Sequence, residues 1–232
     1  MFDVNFAIQS FGAILGALPM TLLVAIISTI IGIIFAIGIA IIRERNIRII
    51  SPVIATIVSF IRGTPILVQL YMVYYGLPQL LVLMNKWGWN TNANGIPVMV
   101  IAITAYALNA SANISESIRS AYHSVNPGQY EAALSVGMSP ATAMIKIVIP
   151  QLIVNLIPNF SNILLDFIKD TALVYNIGIV EVMAQANIIS AVGFKYLETY
   201  MDALIIYIII CWTFAKFLQM IEERLKNNYV TN

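Results

Sequence analysis

The sequence predicts an all-α integral membrane protein with about five transmembrane helices. Of its 232 residues, 60% are hydrophobic and only 10% are charged, a balance that excludes an ordinary soluble domain. Apolar runs long enough to cross roughly 30 Å of hydrocarbon recur along the chain. Between the third and fourth runs lies a polar stretch with the capping and terminating residues of two short helices. These observations favour a single transmembrane domain that spans residues 1–232.

The predicted spans are separated by charged, polar or turn-forming residues. Their approximate bounds are 11–42, 52–75, 96–118, 148–168 and 200–221. The first apolar run is too long for a signal peptide and lacks a basic leader. We therefore expect it to be retained as a span.

Residues 172–194 are a weaker candidate for a sixth span. Asn176, Glu181, Gln185 and Asn187 interrupt the apolar character over this short length. A sixth crossing would also move the basic carboxyl-terminal residues to the opposite side of the membrane. We predict a re-entrant or outer-surface helix, since irregular backbone at membrane depth must be buried within protein.

Basic residues are distributed unevenly between the two sides of this topology. If the polar stretch 126–150 is cytoplasmic and the spans alternate, only Lys86 and Lys195 lie outside. The basic residues inside or near inner ends are Arg43, Arg45, Arg48, Arg119, Lys146, Lys216, Arg224 and Lys226. The positive-inside rule then predicts an amino terminus outside and a carboxyl terminus in the cytoplasm.

The stretch between the third and fourth spans contains two sets of helix signals. Asn126 can cap a first helix that opens on a proline, and Gln129 is placed to complete a capping box. Gly137 would end this helix. Ser139, again followed by a proline, can cap a second helix that runs toward Pro150. The two predicted helices meet at a bend.

Small side chains at Ala132 and Ala133, beside the charge of Glu131, would allow a partner to approach this bend closely. An ordinary helical hairpin, which has the same helix start and stop signals, is the alternative. However, the order Glu-Ala-Ala, three residues, Gly, nine residues, Ile, one residue, Ile-Pro resembles the EAA loop of ABC importer permeases. In that family the loop forms coupling helices that insert into a groove on the cytoplasmic ATPase. The resemblance implies ATPase coupling by Gln129, Glu131, Ala132, Ala133, Gly137 and Ser139.

Two further segments extend the resemblance over nearly the whole chain after the first span. FIRGTPILVQLYMVYYGLP at 60–78 and KDTAL at 169–173 are similar to the FRGTP-LVQ and KDTSL segments of polar amino acid uptake permeases. That group handles histidine, glutamine, arginine, cystine and related solutes. The resemblance implies a type I ABC importer permease fold in a bacterial cytoplasmic membrane. Ala172 replaces the usual serine, and 109–115 lacks an acidic position often found there, which leaves the carried amino acid open.

Two predicted spans carry polar residues at helical spacing. The stripe in the third span comprises Tyr106, Asn109, Asn113 and Glu116, and the stripe in the fourth comprises Asn155, Asn159, Asn162, Asp166 and Lys169 or Asp170. Amides and carboxylates are costly in hydrocarbon, so these faces should point toward neighbouring helices or a watered path. Hydrogen bonding between helices is the alternative role of each amide. The predicted path residues are Gln69, Asn113, Asn159, Asn162, Asp166 and Asp170.

Two basic residues near the ends of apolar runs, Arg62 and Lys169, each have either a structural or a functional role. Arg62 is either a charge satisfied by carbonyls or a carboxylate, which we favour, or a gate or ligand group. Lys169 can pair with Asp166 or with Asp170. If it forms either pair, the acid becomes structural rather than a contact for a solute ammonium.

The residues offer little for catalysis. One histidine and one cysteine cannot assemble a His/Cys zinc cluster, and no P-loop sequence occurs. An aspartyl hydrolase built from Asp166 and Asp170 is conceivable, but aspartates that share a proton normally converge from different elements. We expect no enzyme activity and no cofactor in this chain. The net charge of +1 gives no argument for nucleic acid binding.

The resemblance also implies the partners. They are a cytoplasmic ABC ATPase dimer that binds ATP and Mg, a second permease that is identical or related, and an extracytoplasmic amino acid-binding protein. The expected mechanism is alternating access along a path between two permeases in the lipid bilayer. A secondary amino acid transporter or channel without an ATPase is the alternative, although five spans are few for a complete carrier and no inverted second half is visible.

Overall fold

The computed structural model describes residues 2–89 and 95–230, and every regular element within them is helical. The helices are α1 (Val4–Leu15), α2 (Leu18–Glu44), α3 (Ile50–Arg62), α4 (Ile66–Lys86), α5 (Val98–His123), α6 (Pro127–Ser135), α7 (Pro140–Ala143), α8 (Ile149–Asp170), α9 (Val182–Gly193) and α10 (Tyr196–Val230). A π-helical turn, Met144–Val148, joins α7 to α8, and a 3₁₀ segment, Thr171–Ile177, follows α8.

The predicted number of spans is confirmed. Among the described residues, five helical stretches are long and apolar enough to cross a membrane. They are Val4–Glu44, Ile66–Lys86, Val98–His123, Pro140–Ile177 and Tyr196–Asn227. The segment once considered for a sixth span forms only the 3₁₀ turns and the 12-residue α9. A helix of that length is shorter than the roughly 20 residues needed to cross hydrocarbon.

The predicted position of the second span is wrong. The backbone breaks after α3, because Pro65 adopts an extended conformation and lacks the N–H that a continuous helix needs. The predicted span 52–75 therefore combined the end of one helix with the start of another. The membrane-crossing helix is α4, and α3 is a separate helix of 13 residues. Hydropathy alone missed the break because apolar residues continue on both sides of it.

α5 lies at the centre of the bundle and packs against α2, α4 and α8. Its contact face is made of small side chains such as Ala102, Ala105 and Ala110, which are fully buried. Gly32 of α2 approaches so closely that an added Cβ would lie 2.4 Å from the Cβ of Ala110. Only glycine fits this position. Small residues thus bring several helices onto one central helix, as is typical of membrane bundles.

Polar contacts tie the amino-terminal segment to the start of α10. The backbone N–H of Asp3 donates to Glu198 Oε1 at 2.8 Å, and Ser10 Oγ donates to Asp202 Oδ2 at 2.6 Å. Lys195 Nζ lies 3.3 Å from Asp3 Oδ2. These contacts fix the amino-terminal segment at one end of the bundle.

The last turns of α10 lie at the other end, beside the loop between α5 and α8. Lys226 lines a groove with Ser120, Ser124 and Asn155. The two ends of the described chain are therefore at opposite ends of the bundle, as an odd number of crossings requires.

Glu181 begins α9 and is completely buried. Its carboxylate accepts hydrogen bonds from the N–H groups of Met183 (2.8 Å) and Ala184 (2.7 Å) and from the Tyr207 hydroxyl (2.9 Å). Burial raises the pKa of Glu181, while these three donors favour its charged form. One of the four polar residues that argue against a sixth span is thus an N-cap buried within protein.

Candidate coupling loop and translocation path

The first helix of the polar loop begins and ends where its cap residues predict. Asn126 Oδ1 accepts a hydrogen bond from the Gly128 N–H at 2.9 Å, with a proline at the first helical position. Gly137 follows the helix in the left-handed conformation, with φ of 87°. The Met138 N–H then donates to the Ala133 carbonyl at 3.1 Å, which closes a Schellman motif.

The second predicted helix is not a short separate element. Ser139 caps it as expected and accepts a hydrogen bond from the Thr142 N–H at 3.2 Å. However, α7 continues through the π-helical turn into α8. Pro150 explains that turn, because it lacks the N–H that would bond four residues back and its ring crowds the preceding turn. The candidate coupling loop therefore leads without a break into α8, in the fourth apolar stretch long enough to cross a membrane.

Gln129 does not complete the predicted capping box. Its Oε1 accepts a hydrogen bond from Gln151 Nε2, and the same Gln151 amide donates to the Ile147 carbonyl at 2.9 Å. Gln129 therefore ties α6 to the start of α8.

Most of the predicted coupling residues lie on the surface. The exposed ones are Gln129, Glu131, Ala132, Gly137 and Ser139. Ala133 is buried within the loop, so it supports the hairpin and offers no surface of its own. Val136, which the sequence interpretation did not single out, projects from the bend with 77% of its surface exposed. The structure thus brings small, acidic and apolar side chains together at one protruding bend.

The polar stripe of α8 lies on the outside of the chain. Its exposed members are Asn155, Asn159, Asn162, Asp166 and Lys169. Lys169 Nζ lies 2.7 Å from Asp166 Oδ1, and Asn155 Nδ2 donates to Ser124 Oγ at 2.8 Å. Because hydrocarbon is a costly environment for such groups, this face needs a water-filled space or another protein surface beside it.

Asp170 differs from the rest of the stripe. Its backbone carbonyl accepts a hydrogen bond from the Tyr106 hydroxyl at 2.5 Å, which fixes the end of α8 against α5. Its half-buried carboxylate makes no hydrogen bond or ion pair with another residue of the described ranges. Lys169 pairs with Asp166. Of the two pairings left open by the sequence, the structure has the one that leaves Asp170 unpaired.

Gln69 and Asn113 belong to an amide network at the break between α3 and α4. Gln69 Nε2 donates to the carbonyls of Ile61 (2.6 Å) and Thr64 (3.0 Å) at the break, and the Ile61 carbonyl also accepts from the Thr64 hydroxyl at 3.2 Å. Its Oε1 accepts from Asn109 Nδ2 at 2.9 Å, and Asn113 Nδ2 donates to Asn109 Oδ1 at 2.8 Å. Through Gln69 the network holds the break against α5, which is the interhelical role given as the alternative to the path. Asn113 bonds within α5, to Asn109.

Replacing Gln69 with methionine is expected to lower the free energy of unfolding by about 2–3 kcal/mol, since it leaves the Asn109 amide and the Thr64 carbonyl without their partner. Thermal denaturation in detergent should show the loss. The matched control is Gln79→Met on the exposed face of the same helix, which should change stability little. Equal stability of the two variants would contradict the role of the network.

Arg62 lies beside a cluster of charges that the sequence did not predict. Glu116 Oε2 is 2.5 Å from Arg43 Nη1 and 4.0 Å from Arg62 Nη1, and Glu116 Oε1 is 3.8 Å from Arg119 Nη1. The Arg62 side chain is 45% exposed, so its contact is weak. The proximity to a carboxylate agrees with the structural interpretation of Arg62. The clue in the sequence is that Arg43, Glu116 and Arg119 all lie near the ends of their predicted spans.

Comparison with known proteins identifies the family. Residues 28–227 match the family described as binding-protein-dependent transport system inner membrane component. The chain belongs to this family. It is therefore a multi-pass permease of the cytoplasmic membrane and a transport subunit, not an enzyme, and ATP hydrolysis belongs to a separate ATPase.

Relatives match this permease over nearly its full length. It is 34% identical to the probable amino-acid permease YxeN of Bacillus subtilis, over 99% of this chain and 98% of YxeN. It is 33% identical to the L-cystine transport system permease TcyL of the same organism, over 98% and 93% of the two chains. The nopaline transport system permease NocM of Agrobacterium fabrum is 35% identical over 95% of this chain and 90% of NocM.

Solved structures confirm the fold of the permease. A chain of an amino acid ABC transporter crystallised with histidines superposes with a TM-score of 0.82 at 34% identity, covering 97% of this chain and 99% of the other. The inward-facing MetNI methionine ABC transporter gives 0.71 at 16% identity, covering 91% and 95%. The second likeness shows the fold alone. Both are consistent with the predicted type I importer permease fold.

Proposed function

We propose that this permease forms half of the solute path of an ATP-driven importer of polar amino acids. The observation that carries the proposal is the exposed polar face of α8, which ends at the unpaired carboxylate of Asp170. The relatives named for cystine, nopaline and arginine support this class of solute. Cystine, glutamine, histidine and arginine are the candidate cargoes.

A second permease, identical or related, supplies the opposite wall of the path. The α8 faces of the two subunits then meet across a watered space, which removes the cost of exposing amides and carboxylates to lipid. Asn159, Asn162, Asp166 and Asp170 line this space. Gln69 and Asn113 lie beside it; Gln69 holds α4 to α5 through Asn109, and Asn113 supports Asn109 from the same helix.

The bend between α6 and α7 docks on a cytoplasmic ATPase dimer, which binds ATP and Mg. Glu131, Ala132, Val136 and Gly137 supply the protruding surface. Closure of the ATPase dimer moves the bend and, through the continuous helix, the path. An extracytoplasmic binding protein delivers the amino acid to the opposite end.

Reconstitution of the permease with its ATPase and binding protein in proteoliposomes tests this function. We expect amino acid uptake that requires both the binding protein outside and ATP inside. Uptake driven by an ion gradient without ATP would instead support the secondary-transporter alternative. A screen of amino acids on the binding protein would identify the cargo.

We also propose that the amino terminus lies outside and the carboxyl terminus inside. In a Cys211→Ser background, Val192→Cys should react with an impermeant thiol reagent added outside, because Val192 is 87% exposed, whereas Ser139→Cys should be protected until the membrane is opened. Ser190→Cys is the control from the same helix, since Ser190 is fully buried and should stay protected throughout. Labelling of position 139 from outside would invert this orientation.

A further inference from the structure

α3 lies across the bundle, not along it. Ser51 in its first turn donates to the Ile42 carbonyl at 2.8 Å. At its other end, Arg62 lies 4.0 Å from the Glu116 carboxylate, which also pairs with Arg43. The start of α3 is therefore level with the last turn of α2, and its end stays within reach of the Glu116 carboxylate while the Ile61 carbonyl is joined through Gln69 to Asn109, two turns further along α5. A helix that ran antiparallel to α2 would carry Arg62 about 17 Å away from that level.

This level corresponds to the edge of the hydrocarbon. α5 has 26 residues and is about 39 Å long, so it extends beyond the roughly 30 Å of hydrocarbon. Glu116 is seven residues, or about 10 Å, from its carboxyl-terminal end at His123. The Glu116 level, and with it α3, thus lies near the boundary between acyl chains and headgroups.

α3 has three faces of different chemistry, set by the 100° turn per residue. One face is in contact with α2 and α5 and consists of Ser51, Ile54, Ala55 and Val58. The second is exposed and apolar and consists of Ile50, Val53, Ile57 and Phe60. The third is exposed and consists of Pro52, Thr56 and Ser59. Protein, hydrocarbon and water are the three surroundings that such a helix matches.

The charges carried by residues 45–65 themselves have one sign, and the two neighbouring acids, Glu44 and Glu116, pair with other arginines. Residues 45–65 include Arg45, Arg48 and Arg62 and contain no acidic residue. Arg45 and Arg48 are exposed and make no ion pair with any residue in the described part of the chain. Two unpaired guanidinium groups beside an exposed apolar stripe are complementary to phosphate groups above acyl chains.

We propose that α3 is an in-plane interfacial helix that binds anionic phospholipid. Its apolar stripe of Ile50, Val53, Ile57 and Phe60 inserts among acyl chains, while Arg45 and Arg48 pair with lipid phosphates. Arg62 is held back toward Glu116 and joins the helix to the bundle. A second protein chain on the same face would need acidic groups for the two arginines, which a membrane rich in anionic lipid already supplies.

Quenching of tryptophan fluorescence by brominated lipids measures the depth of this helix. The three natural tryptophans are replaced by phenylalanine, and single tryptophans are introduced as Val53→Trp, Phe60→Trp or Thr56→Trp in the full chain in vesicles. Positions 53 and 60 should show the same depth within the acyl chains, whereas position 56 should be quenched mainly by aqueous iodide. A depth difference of about 10 Å between 53 and 60 would show a spanning helix and overturn the proposal.

Lipid preference is measured with an Ile57→Trp reporter in vesicles of phosphatidylcholine and phosphatidylglycerol, with either lipid brominated. Phosphatidylglycerol should be favoured, and Arg45→Gln and Arg48→Gln should each reduce the preference about fivefold. The Arg45→Lys and Arg48→Lys controls should retain it. Equal quenching by both lipids would refute headgroup pairing, and protection of position 57 from lipid and iodide alike would show that protein covers this face.

Discussion

Replacing Gly137 with tryptophan is expected to reduce ATP-driven uptake at least about tenfold while the permease still inserts and binds its ATPase. Gly137 has a φ of 87°, where a side chain adds roughly 1–2 kcal/mol of strain. A Cβ at this position would meet no described atom of the chain within 4 Å. The chain therefore leaves room for a side chain to start here, and in the proposed docking mode the indole ring meets the ATPase.

The measurement is uptake and ATP hydrolysis in the same proteoliposomes, with copurified ATPase as the check on assembly. Gly137→Asn is the matched control, because asparagine tolerates the left-handed conformation and is much smaller than tryptophan. It should retain most of the uptake. Wild-type uptake by Gly137→Trp with the ATPase still bound would remove the bend from the coupling surface.

Asp170→Asn should weaken transport of an α-amino solute roughly tenfold to a hundredfold, with assembly and ATP hydrolysis retained. The carboxylate is half-buried and has no ionic partner in the described chain, so it is available for the solute ammonium. A hydrogen bond to a charged group contributes about 1.5–3 kcal/mol, which sets the size of the effect. The loss should appear in the apparent affinity measured by radiolabelled uptake.

Two further variants separate this role from a structural one. Asp170→Glu preserves the charge and should recover part of the transport. Adding Lys169→Met to Asp170→Asn should not rescue transport, because Lys169 pairs with Asp166 and not with Asp170. Rescue by the double change, or poor expression of Asp170→Asn alone, would indicate a structural ion pair. Unchanged affinity and rate in Asp170→Asn would exclude Asp170 from the path.

Local signals predicted much of the fold. The number of spans follows from apolar length, and the caps at Asn126 and Ser139 follow from side chains that bond to N–H groups within the next three residues. The exposed face of α8 follows from polar spacing. Each of these features depends on residues that are close together in the chain, so periodicity and cap chemistry suffice.

Contacts between distant segments were not predictable in this way. Glu116 was placed in a polar stripe, but its pairing with Arg43 and Arg62 requires the ends of three helices to meet. Gln69 is predicted to line the path, and its bond to Asn109 on another helix leaves no pattern in the sequence. The sequence predicts that Gln129 completes a capping box. In the structure its side chain instead bonds to Gln151, which is 22 residues away in the chain. The sequence shows which polar side chains are present, whereas the packing of the helices determines which of them form hydrogen bonds or ion pairs.

The π-helical turn between α7 and α8 could change the rotation of α8 relative to α7. A π turn holds one residue more than an α turn, so its conversion to α geometry would rotate one side relative to the other by about 100°. The cap at Ser139 lies below the turn and the stripe from Asn155 to Asp166 lies above it. No loop separates the cap from the stripe, so a displacement of the bend would be transmitted along the helix to the stripe. Axial displacement and a discrete twist of the stripe are the two ways in which this rod can respond.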